Sequence, residues 1–165
     1  MTKDTIKFVK KETCTTAIIT AVICLVIFLF IEKGGKTAEM IVADLVSGVL
    51  PTGAICVILQ FFMKKSAVAK GNVPPMGDAG LQVSYAFMPK NSIVFIIAVT
   101  LLTGLIFACG FGGAVMVLAP EFTWGKVPYV VFKSLVSGAA AGYAAFHGMV
   151  FFSAKFQTAS SEAEI

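Results

Sequence analysis

Arginine is absent from this chain; all thirteen basic residues are Lys. A site that grips a carboxylate or phosphate through two parallel hydrogen bonds normally uses the planar guanidinium, so its lack argues against such a site. Charge of either sign is also scarce, at 13% of residues. A soluble domain carries about 25%, which excludes a large soluble domain. There is one His. No Ser-His-Asp set shares a plausible depth, and no carboxylate pair, zinc-ligand cluster or phosphate loop is present. Neither an enzyme nor a bound cofactor or metal is therefore expected. Cys14, Cys24, Cys56 and Cys109 have no C-x-x-C spacing and read as small buried hydrophobes.

What the chain has instead is long apolar runs. Four of them cover about Thr13–Ile31, Met40–Met63, Ser92–Leu118 and Val127–Ser153. A helix needs about 20 residues to cross a hydrocarbon core roughly 30 Å thick. The expected fold class is thus an all-α integral membrane protein with four transmembrane helices. Its expected parts are a polar N-terminal segment 1–12, a first hairpin 13–63, a linker 64–91, a second hairpin 92–153 and a tail 154–165. Residues 158–165 read as a disordered tail. The first span is too long, and lacks the small-x-small site, for a cleavable signal.

Lysine placement sets an expected orientation. Lys3, Lys7, Lys10 and Lys11 precede the first span, Lys64, Lys65, Lys70 and Lys90 lie in the linker, and Lys155 follows the fourth. The opposite loops carry only Lys33, Lys36 and Lys126. The positive-inside rule then places both termini and the linker in the cytoplasm, with the chain in the cell membrane. The net charge of +4 reads as topology, with the lipid bilayer as partner and no nucleic acid.

The second and fourth spans align without gaps. Leu45-Val46-Ser47-Gly48 matches Leu135-Val136-Ser137-Gly138, Phe61-Phe62 matches Phe151-Phe152, and Lys65 matches Lys155. We read a tandem duplication of a two-helix hairpin. Each copy has an even number of spans, so the repeat is parallel, with its pseudo-two-fold axis along the membrane normal. In the linker, Leu81, Val83, Tyr85 and Phe87 alternate with Gln82, Ser84 and Ala86, a period of two that suggests an extended segment.

Ionisable groups inside spans are costly and mark candidate sites. Asp44, Lys133 and His147 qualify. Asp44 and Lys133 lie near one depth, where they either pair or snorkel separately to the headgroups. Lys133, Ser137, Ala141, Ala144 and His147 recur at i+3 and i+4 and share a helical stripe. That stripe either lines a pathway or holds a structural histidine. Gly104, Ala108 and Gly112 in the third span, with Gly138 and Gly142 in the fourth, form small-residue stripes suited to close helix packing. The run Cys109–Gly113 alternatively leaves a broken helix. Pro51 predicts a kink that frees a carbonyl near Ser47.

These residues support two functional expectations. One is a homo-oligomeric transporter or channel-type protein for a small solute or ion. The alternative is a non-catalytic membrane subunit or scaffold, with other membrane subunits as partners.

Overall fold

The computed structural model describes residues 3–76 and 91–162. It contains four helices long and apolar enough to cross a membrane: α1 (Lys3–Ile31), α2 (Ala38–Ala69), α3 (Ser92–Leu118) and α4 (Lys126–Glu162). The two short turns, 32–37 and 119–125, lie at one end of the bundle, the turn end. The start of α1 and the end of α4 lie at the other, the terminal end.

The helix ends have local causes. The Thr37 hydroxyl caps α2 by accepting from the Met40 amide at 3.5 Å. The Asn91 side chain accepts from the amides of Ile93 and Val94 at 2.8 and 3.4 Å and starts α3. Such caps satisfy amides that the first turn cannot pair. At the end of α2, Gly71 takes φ +68°. The Asn72 amide then reaches the Ala67 carbonyl and the Gly71 amide reaches Val68, both at 2.9 Å. This is the two-bond closure that a left-handed glycine permits.

The helices outrun the apolar stretches. α1 begins at Lys3 and α4 reaches Glu162, so much of the expected polar N-terminal segment is helical, and so are residues 158–162 of the expected tail. The linker is shorter than 64–91, because α2 continues to Ala69. The reason is packing on the flanks. Thr5 and Val9 of α1 are buried, as are Phe151, Phe152 and Ala154 of α4. After α2, the segment through Pro74 and Pro75 is docked. The Thr5 hydroxyl donates to the Pro75 carbonyl at 2.9 Å. The Gln157 amide donates to Val73 and Pro74 and accepts from the Met76 amide. The alternating stretch Leu81–Phe87 lies outside the described residues.

α4 is the hub. It packs along α1 on one side and α2 on another, and α3 leans on it while packing mainly on α2. α1 and α2 hardly touch backbone to backbone. The contacts run antiparallel between α1 and α4 and between α2 and α3, and parallel between α2 and α4. Small residues set the closest approaches. A Cβ on Gly138 would stand 2.6 Å from that of Ala21 and 2.8 Å from the Ala17 carbonyl. On Gly142 it would meet Ala17 at 2.9 Å. On α3, Gly104 lies against Leu50, Gly112 faces Val42, and Ala108 is buried between them.

α3 is continuous through Cys109–Gly113. Its irregularity lies one turn earlier, where Gly104–Cys109 widens into a π-helical turn and the Gly110 amide reaches back to Leu105. Pro51 withholds an amide from the Ser47 carbonyl, yet α2 stays helical past it. Beside it, the Thr52 hydroxyl donates to the Gly48 carbonyl at 2.8 Å. At the terminal end a phenylalanine cluster closes the core. Phe95 stacks on Phe151 with centroids 3.8 Å apart, and Phe61 meets Phe152 edge-on at 5.2 Å.

Candidate functional site

A seam runs between α1 and α2, floored by α4. Each of its ends is closed by charges.

The turn end carries the larger cluster. Lys133 of α4 donates to Glu32, just past the end of α1. Lys36, in the turn, reaches Glu32 at 3.2 Å and Asp44 of α2 at 2.7 Å. The Tyr129 hydroxyl donates to the same Asp44 oxygen at 2.7 Å. Two carboxylates thus face two ammonium groups, and the formal charges cancel. The hydrogen bond it donates to the Asp44 carboxylate chiefly holds the Lys36 ammonium above its ordinary lysine range, with Glu32 adding to it. Backbone holds Lys36 in place too. It forms an antiparallel bridge with Trp124, whose carbonyl accepts from the Gly35 and Lys36 amides at 3.2 Å and whose amide donates to the Lys36 carbonyl at 2.9 Å. One β-bridge therefore ties the two turns together.

Asp44 and Lys133 share this cluster but are not each other's first partner. Their closest atoms stand 3.8 Å apart. Glu32 takes Lys133, while Lys36 and Tyr129 take Asp44. Separate snorkelling to headgroups does not describe this geometry. Glu32 and Lys36 escaped the sequence reading because they count there as turn charges. Their i, i+4 spacing, which favours ion pairing, was the available signal.

The middle of the seam holds Ser137 of α4, Cys24 of α1, and Cys56 and Gln60 of α2. Ser137 is buried, and Cys24 is half-buried. Cys56 is buried. Cys14 and Cys109 are instead exposed, against the expectation of four buried cysteines. Their helices turn these positions away from the bundle, toward what would be lipid, where a small apolar thiol is equally at home. Gln60 is 4% exposed, lies against Gly148, and its side-chain carbonyl oxygen has no hydrogen-bond partner. An unpaired buried acceptor costs about 1–3 kcal/mol.

The terminal end closes on one ion pair. The Lys64 ammonium lies 3.3 Å from Glu12 of α1 and 5.0 Å from the centre of the Phe8 ring. Lys64, expected in the linker, lies within α2 and is 3% exposed.

The structure divides the expected stripe on α4. Lys133, Ser137, Ala141 and Ala144 are buried. His147 sits 4.4 Å from Tyr143, ring centre to ring centre, and Tyr143 in turn meets Phe107 of α3. His147 thus lies toward α3, off the seam. Steps of three and four residues spread over a wide arc of the helix, and α3 covers its margin.

A separate shallow groove of about 370 Å³ lies outside the seam, lined by Ile6, Val9, Lys10, Thr13, Cys14 and Phe146, and its walls are apolar. Among the described residues, no three His, Cys, Asp or Glu side chains gather as a metal ion would require. No protein-family model, curated protein or solved structure matches this chain.

Proposed function

We propose that the chain is a small transporter, acting as a homo-oligomer in the cell membrane, whose solute moves along the seam between α1 and α2. One observation carries this reading. The seam carries Ser137 and Gln60 between its ends, is spanned by side chains where backbones do not meet, and is shut at both ends by ion pairs that can part and re-form. Glu12–Lys64 is the gate at the terminal end, and Glu32–Lys36–Asp44–Lys133 is the gate at the turn end. Gln60 offers an unpaired acceptor between them. No reacting group is assigned a catalytic role.

In this reading the terminal end faces the cytoplasm, following the lysine distribution. The chain is a parallel tandem repeat of two hairpins. Two packing relations support the repeat: α1 packs on α4 as α3 packs on α2, and α2 runs parallel to α4. Each first helix thus rests on the second helix of the other copy.

Thiol accessibility tests the route without a known solute. With Cys14, Cys24 and Cys109 changed to Ser, Cys56 becomes the reporter. A membrane-impermeant cationic methanethiosulfonate, applied to proteoliposomes, is expected to modify it slowly. Glu12→Gln, which loosens the terminal gate, is expected to speed modification about tenfold, the factor that 1.4 kcal/mol supplies. A Cys56 inert in both backgrounds would remove the route.

A second reading, a non-catalytic subunit of a larger membrane complex, is favoured by one feature. Val131, Leu135 and Phe146 leave an uncovered apolar strip on α4. An unrelated membrane protein that co-purifies in stoichiometric amount, together with an inert Cys56, would establish it over transport.

A further inference from the structure

The two gates share a design that points to the chemistry of the solute. α1 carries Phe8-x-x-x-Glu12 and, twenty positions on, Phe28-x-x-x-Glu32. Spacing of four places each ring and carboxylate on one side of the helix. Twenty residues of helix cover about 30 Å, the thickness of the hydrocarbon core. The two copies of the motif therefore stand about one hydrocarbon thickness apart along the chain of α1.

Each copy holds the ammonium group of a lysine supplied by another helix. Lys64 of α2 places its ammonium 3.3 Å from Glu12 and 5.0 Å from the centre of the Phe8 ring. Lys133 of α4 donates to Glu32, with its ammonium 4.3 Å from the centre of the Phe28 ring. A ring face beside a carboxylate recognises an ammonium cation in two ways at once. The carboxylate supplies charge and hydrogen-bond acceptors, and the π-face attracts a cation that has shed part of its water. Both lysines are nearly inaccessible to solvent, so both cradles hold a desolvated ammonium. Between them the Gln60 carbonyl oxygen has room in its hydrogen-bonding capacity for an N–H donor.

We propose that these two cradles are sites for a small primary ammonium cation, and that Lys64 and Lys133 act as tethered occupants which the free cation displaces. The proposal rests on the transport reading for its direction of movement, but the cradles bind ammonium whether or not the seam conducts. Entry exchanges the Lys64 ammonium for the solute at Glu12 and Phe8, while the lysine stem swings its head toward the lipid headgroups. The solute then meets Gln60, and the exchange is repeated at Glu32 and Phe28.

Rescue of a vacated cradle tests this on the full-length chain in detergent. Lys64→Ala removes the tethered ammonium and leaves space for methylammonium, which is the probe. The variant is expected to melt below the parent. Methylammonium chloride should raise its Tm saturably, by at least about 2 °C, over sodium chloride at equal ionic strength. The parent should show a smaller shift, because there the cation must displace the tethered lysine, and the Lys64→Ala, Glu12→Gln double variant should show none. Lys133→Ala, with Glu32→Gln as its partner, gives the same measurement at the other cradle if Lys64→Ala does not fold. Equal effects of methylammonium and sodium, or an equal shift in the double variant, would overturn the proposal. Rescue with an inert Cys56 keeps the ammonium sites and removes transport. A reactive Cys56 without rescue keeps the route and removes this solute class.

Discussion

α1 and α4 form the most extensive helix pair, yet they bury very different shares of themselves. In its most apolar stretch α1 buries none of its residues, whereas α4 buries 72% of the corresponding stretch. Yet α1 is the more apolar helix and α4 the less. In water the order would be reversed. Lipid removes the reason for apolar side chains to hide, so packing falls to small residues and interhelical polar contacts. α4 presents Gly138, Gly142, Ser137 and Lys133 to its neighbours, while α1 keeps Ile18, Ile19, Ile23 and Phe30 outside. α1 is therefore attached along one edge only, which suits an element that moves against a fixed body.

That contrast can be broken most sharply at Lys133. Lys133→Met leaves Glu32 and Asp44 sharing Lys36 alone. Breaking a buried pair from one side costs about 3–5 kcal/mol, and thermal unfolding in detergent measures the loss. A double-mutant cycle is expected to give stronger coupling for Lys133 with Glu32 than with Asp44. Equal couplings would mean that the cluster acts as diffuse charge rather than as specific bonds. A second break is steric. Gly138→Leu drives a side chain into Ala21 and the Ala17 carbonyl and should cost about 1–3 kcal/mol while freeing α1 from α4. Ile23→Ala on the uncovered side of α1 should stay within about 0.5 kcal/mol. A comparable loss from Ile23→Ala would show that α1 is covered by something outside this chain.

The smallest expected effect concerns pH. The Lys36 ammonium is held above its ordinary range by Asp44 and Glu32. A base with a raised folded pKa contributes stability that is fully present below the unfolded value, about 10.4. That contribution fades as pH climbs through the higher folded value. Unfolding measured from pH 9 upward should therefore show a loss in the parent that Lys36→Met lacks. No difference between the two would mean that Lys36 leaves the cluster in detergent.

Particular residues show how far the sequence could be read. Asp44 and Lys133 were recognisable as intramembrane charges near one depth, because each stands out against an apolar run. Their true partners were not, since Glu32 and Lys36 sit at the edges of runs, where charge is ordinary, and the same position hides the Glu12–Lys64 pair. The Phe-x-x-x-Glu spacing is visible in α1, but it takes on meaning only once a lysine from another helix is seen to fill it. His147 was placed on the right helix and assigned to too broad a stripe, since six residues beyond Ala141 its side chain has turned toward α3. Cys14 and Cys109 could not be told from Cys56 by composition, because lipid-facing and core positions of a membrane helix are equally apolar.

Four helices of membrane-crossing length follow from the sequence by itself. The cost of an unpaired peptide group in hydrocarbon leaves a long apolar run no structure but a helix, and length then sets the number of crossings. Which helix lies at the centre, which side of each turns inward, and which of the thirteen lysines are buried were decided only by tertiary structure. In lipid, hydrophobicity cannot tell inside from outside. That choice rests on steric fit at a few glycines and on charges that find one another across more than a hundred residues of chain, as Glu32 and Lys133 do.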